Sequence, residues 1–110
     1  MRIAVLALQG LFDTGLTVML DAFSLANRFA AAKMGGRPHF ELSVVGVRKK
    51  VRSGQGLTIP VQAITADLKP DWVIIPALST GTPEQLVPAF ERPDVRDARR
   101  RCWHGMHRAR

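Results

Sequence analysis

The residue types richest in chemistry lie at the end of the chain, where RRRCWHGMHRAR, residues 99–110, sets Cys102, His104 and His107 among five arginines. The spacing C-x-H-x-x-H offers three groups of the kind that bind zinc. A structural zinc site closes with four ligands and fixes them with further hydrogen bonds. Neither a fourth ligand nor such support is visible, so no metal is expected. Cys102 is also a poor candidate nucleophile: no apolar strand leads to it and no small residues surround it, whereas nucleophilic catalysis needs a held thiol beside an activating group. The arginines neutralise phosphates, but nothing there holds a recognition helix in a groove.

The formal net charge of +7 is unevenly spread. Residues 96–110 hold six Arg and one Asp, so the first 95 residues are only +2. The basic excess belongs to the tail, and nucleic-acid binding by the body loses its main support. A small basic nucleic-acid-binding protein remains an alternative reading. From Arg100 onward there is no Leu, Ile or Val, which predicts that residues 100–110 form a basic tail outside a domain spanning 1–99. A shifted reading frame or a truncated gene is the expected origin of such an end. Apolar residues at 46% and charged residues at 23% fit a globular body. One cysteine excludes an intramolecular disulfide. MRIAVLALQG is too soon broken by Gln9 and Gly10 for a signal peptide, and no stretch approaches the ~18 to 20 apolar residues of a membrane span. No membrane partner and a cytoplasmic location are expected.

The other residues suited to a site lie in two loops, LQGLFDTG and PALSTGTP, where Gly10, Gly15 and Gly81 permit close backbone approach. The elements that position them follow from pattern. RIAVLAL, residues 2–8, is a continuous apolar run of the kind buried on both faces in a parallel sheet. Asp13 stands as a helix N-cap, and a helix is predicted from 14 to 34, stopping at Gly35-Gly36. It carries one apolar stripe at Leu16, Leu20, Phe23 and Ala30 and a second at Val18, Ala22, Leu25 and Phe29, against a narrow polar strip. Either the second stripe lies under a loop, or it is a subunit contact, giving a homodimer through residues 14–34.

Residues 40–47 read as a strand, and SGQG as the bend of a hairpin with Gly54 and Gly56, leading to GLTIP. Arg48, Lys49, Lys50 and Arg52 are read as charges that block edge pairing rather than as a phosphate patch. DWVIIP, residues 71–76, is predicted to be another wholly buried strand. Thr82 as N-cap, Pro83 and Glu84 open a helix to about Phe90, and Asp94 opens another after Pro93. Strand, helix, strand, hairpin, strand, helix is the first half of an open α/β sheet, whose ligands gather at the carboxyl ends of the strands. No GxSxG, P-loop, HExxH or GxGxxG is present. His39 is read as a loop residue.

With RIAVLALQGLFDTGLTVMLDAF, VRSGQGLTIP and DWVIIPALSTGTPEQL in that order, residues 2 to about 100 resemble the DJ-one/PfpI family of the class I glutamine-amidotransferase-like superfamily. More narrowly, they resemble the N-terminal sensor domain of AraC-type transcriptional regulators of the GlxA sort. The resemblance implies a partial open, mostly parallel, flavodoxin-like α/β sheet with flanking helices and a β-hairpin. It implies ligand binding near Gly10, Asp13, Gly15, Ala77 and Leu78, an unknown small-molecule effector, and contact with DNA only through a C-terminal helix-turn-helix domain absent from this chain.

The same resemblance implies that catalysis is absent. Enzymatic members carry a carboxylate where this chain has Gly15, and a Pro-Gly-Gly where it has Pro76-Ala77-Leu78, so neither the acid nor the oxyanion hole is matched. The family's cysteine turn has no counterpart here, and no cofactor is expected. The alternative within the superfamily is a piece of a free-standing isonitrile hydratase, peptidase-like or amidotransferase-like enzyme.

Overall fold

An apolar run without polar alternation is satisfied only where both faces of a strand are covered, and β1 (Arg2–Leu6) is so placed, with Ile3 to Leu6 all buried. In the computed structural model, which describes residues 1–34, 39–79 and 82–108, β1 is central. On one side it pairs with β2 (Glu41–Gly46), which pairs in turn with the two-residue β5 (Gln62–Ala63); on the other it pairs with β6 (Trp72–Ile74). All these pairings are parallel, and the order is β5-β2-β1-β6. Val5 stands opposite Val44 and Ile74. A separate antiparallel hairpin joins β3 (Lys50–Arg52) to β4 (Thr58–Pro60).

Successive side chains of a strand point to opposite faces, and the core divides accordingly. Val5 and Ala7 pack with Leu11, Leu16 and Val51 beneath α1 (Asp13–Met34). Ala4, Leu6 and Leu8 pack on the other face with Val45, Val95, Ala98 and Cys102. Asn27 fastens α1 to the start of β2: its amide donates to the Phe40 carbonyl at 2.8 Å and accepts the Phe40 N–H at 2.7 Å. Phe23 adds an edge-on ring contact with Phe40 at 4.9 Å. The second stripe of α1 stays uncovered among the described residues, with Leu25 51% and Phe29 63% exposed. The expected helix stop at Gly35-Gly36 lies outside the described residues.

The charged hairpin residues behave as expected of an outward edge: Lys50 and Arg52 are exposed while Val51 between them is buried. Gly56 has φ +85° in the bend, a conformation that suits glycine. Helix α2 (Pro83–Phe90) follows Thr82, whose extended backbone occupies the cap position although its hydroxyl makes no cap bond.

Three sequence expectations need correction. DWVIIP is not wholly buried, since Trp72 is 59% and Ile75 40% exposed; β6 pairs only with β1 among the described residues, so its outer side lacks cover. The boundary between fold and tail expected at residues 99 and 100 falls inside α3 (Pro93–Arg108), which continues through the arginines. Val95, Ala98 and Cys102, spaced three and four apart, form the narrow stripe that seats this helix on the sheet. Beyond Arg100, Cys102 takes the place of the missing Leu, Ile and Val in that stripe. Third, Asp13 does not cap α1; its carboxylate is engaged elsewhere. The whole is a mixed α/β fold with a mostly parallel four-stranded sheet, a small antiparallel hairpin and, among the described residues, three helices, consistent with a flavodoxin-like arrangement.

Candidate functional site

In a sheet ordered β5-β2-β1-β6, chain direction reverses its progress at β1, so the crevice opens between the carboxyl ends of β1 and β6. The loops there are 7–12 and 75–79, and the hairpin bend lies over them. Four backbone bonds stitch the three segments together. Phe12 N–H donates to the Ala77 carbonyl at 2.7 Å, and Ser79 N–H to the Gly10 carbonyl at 2.8 Å, on either side of a Leu11–Leu78 bridge. Gly10 N–H donates to the Arg52 carbonyl and Gly54 N–H to the Leu11 carbonyl, both at 2.8 Å. Gly10 turns the chain at φ +83°. Gly54 is required for another reason: a Cβ there would stand 2.5 Å from the Ser79 Cβ.

Side chains reinforce the seam. Asp13 Oδ2 accepts the Ser53 hydroxyl proton at 2.5 Å, and its Oδ1 accepts the Gln55 N–H at 3.1 Å. Ser53, itself buried, accepts the Leu57 N–H on the same oxygen at 3.0 Å. The carboxylate at the start of α1 therefore holds the hairpin bend shut rather than capping the helix. Gln9 works in parallel: its side-chain oxygen accepts the Arg52 N–H at 3.0 Å, and its carbonyl accepts from the Arg92 guanidinium at 2.9 Å. Arg92 and Arg48 both lie 3.8 Å from the Asp94 carboxylate, tying β2's exit and the Gln9 loop to the start of α3.

Of the five sequence-predicted ligand residues, Gly10, Asp13, Ala77 and Leu78 are brought together here. Gly15 lies on the first turn of α1, exposed beside Phe12. The glycines were read as sources of free N–H groups; instead the N–H groups of Gly10, Phe12, Gly54 and Ser79 are spent on the seam, and those of Ala77 and Leu78 stand outside it. Gly81 lies outside the described residues. Ser53, Gln9 and Arg92 were not singled out from sequence. Only Gln9 carried a signal, as the polar residue that ends an apolar strand.

Replacing Asp13 by Ala should leave the buried Ser53 hydroxyl without its acceptor and lower stability by about 1–3 kcal/mol. The Gln55 and Leu57 amides should exchange faster with solvent than in the parent chain. Unchanged exchange at both would mean that the bend is held without the carboxylate.

The terminal Cys-His arrangement does not converge. Cys102 is 2% exposed in the core, whereas His104 is exposed, as a two-residue step of roughly 200° around a helix requires. The His107 side chain is outside the described residues, and among the described residues no three metal-ligating groups cluster. Burial pushes the Cys102 thiol up to about 11 from an ordinary 9.0, so at neutral pH roughly one molecule in 10⁴ carries the reactive thiolate.

The AraC family transcriptional regulator from Pseudomonas putida has a similar solved structure, with a TM-score of 0.59 at 16% sequence identity. The match covers 81% of this chain and 48% of that one, so the chain spans about half the length of this neighbour. At that identity the likeness is one of fold. No protein-family model matches the chain, and no curated protein matches it. No helix among the described residues is long and apolar enough to cross a membrane.

Proposed function

We propose that residues 1–108 form part of the ligand-sensing, PfpI-like domain of an AraC-type transcriptional regulator, acting without catalysis of their own. The observation that carries this reading is the fold shared with the Pseudomonas putida regulator over most of the chain. Two observations support a non-catalytic role: the seam's carboxylate, Asp13, is committed to Ser53 and Gln55, and the chain's one thiol lies outside the seam, buried and protonated. A seam that joins strand-end loops to a hairpin suits sensing, because an effector wedged beside Ala77 shifts both segments together. The exposed stripe at Val18, Leu25 and Phe29 is the surface a second copy would cover. Sedimentation as a monomer at every concentration would oppose that pairing. DNA contact is assigned to a helix-turn-helix domain outside this chain, and the setting to the cytoplasm.

Two measurements test the reading. Translating the DNA that follows the coding region of this chain in all three frames should give a small-residue strand and then a helix-turn-helix pair. Assays with methylglyoxal, an isonitrile and a peptide should show no turnover above a heat-killed control. Turnover with no helix-turn-helix in any frame would favour the free-standing enzyme.

A further inference from the structure

A cleft of about 520 Å³ opens between α3 and the outer side of β6, reaching the loop 75–79 at Ile75. That volume lies within the range of small-molecule sites. Its floor is apolar, Val73 and Ile75 facing the opening with the buried Leu6 and Cys102 behind them. Arg96, Arg99 and Arg100 stand along its rim, with Trp103 at one end. A second hollow of about 370 Å³ shares Ile75 and Arg99 and continues to Pro76 and Ala77. Arg99 thus sits at the junction of two apolar troughs. Asp97 offsets Arg100 at 3.9 Å and Arg101 at 3.0 Å. Neither Arg96 nor Arg99 forms an ion pair with a described residue.

From the apolar floor under unpaired guanidinium groups, we propose that the α3–β6 cleft binds an amphiphilic organic anion, its carboxylate or sulfonate at Arg96 and Arg99 and its aromatic or aliphatic body on Val73 and Ile75. Guanidinium forks bind such anions with charge-assisted hydrogen bonds, while the protonated Cys102 adds no opposing charge. A second copy of the chain fits less well. Joining two β6 edges would bring two arginine rims together, and like charges repel. This site does not depend on the regulator reading.

The test uses the full chain with two probes that differ only in charge, 8-anilinonaphthalene-1-sulfonate and its uncharged parent, N-phenyl-1-naphthylamine. The sulfonate should fill one saturable site and bind about tenfold more tightly than the neutral probe. Added salt should weaken only the sulfonate. Arg96→Gln with Arg99→Gln should remove the tenfold advantage while leaving the neutral probe unchanged. Arg28→Gln with Lys49→Gln, an equal loss of charge elsewhere, should alter neither. Equal affinity for the two probes, or an equal loss in both double variants, would overturn the assignment. So would sulfonate binding that emerges only on dilution, since a second copy would then be covering the cleft. The salt comparison needs no variant and so stands even if one fails to fold.

Discussion

Leu6→Ala should lower the unfolding free energy by about 2–5 kcal/mol, the range for truncating a fully buried leucine whose surroundings cannot collapse into the space. Leu6 is 0% exposed and stands where β1 meets α3. Its neighbours belong to three strands and a helix, so no single side chain can swing in to fill the void. A typical domain has 5–15 kcal/mol in total, and this chain also leaves β6 and the second stripe of α1 uncovered. The variant should therefore be largely unfolded at temperatures where the parent remains folded. Leu25→Ala, at an exposed position, should change stability by less than about 0.5 kcal/mol. Similar urea midpoints for the two variants would show that Leu6 is not central to the core.

Alkaline pH should destabilise the chain through a single group. The folded thiol of Cys102 titrates near 11 and the unfolded one near 9.0. Below pH 9 both states hold the proton, and this contribution is fully present. Between 9 and 11 the unfolded chain releases the proton while the folded chain keeps it, so stability falls across that window, by about 3 kcal/mol at most once solvent screening is allowed for. No tyrosine is present to titrate in the same range. Cys102→Val should flatten the decline, because it keeps an apolar group of similar size and removes the proton. Urea unfolding at pH 8 and pH 11, under reducing conditions, gives the comparison. An equal decline in both chains would place the effect elsewhere.

The fold was largely legible because its signals are local. The apolar run of β1, the positions of Pro83 and Pro93, and the glycines of the hairpin bend each point to one local conformation. What was not legible depended on distance in the chain. The partial exposure of Trp72 and Ile75 comes from an unpaired edge, and a sequence window shows composition without neighbours. The tail misled for a related reason: a search for Leu, Ile and Val from Arg100 onward passed over Cys102, which continues the buried stripe begun by Val95 and Ala98. Of the candidate site, the two loops and four of the five residues lie together, but the use of Asp13 did not follow from its position. Beside a helix start a carboxylate is ordinarily a cap. Only the arrival of Ser53 and Gln55, some forty residues later, gives it different partners.

The central place of β1 also sets a problem of timing. β1 leaves the ribosome ahead of the strands that cover both its edges, and Arg2 meets Asp71 across 69 residues of chain. At roughly 5–20 residues per second of synthesis, RIAVLAL waits several seconds for its last partner. Until then its most apolar segment is open to other nascent chains. The yield of folded protein should thus depend on how fast translation proceeds between codons 8 and 74, and on whether a holding chaperone covers the first strand in the interval.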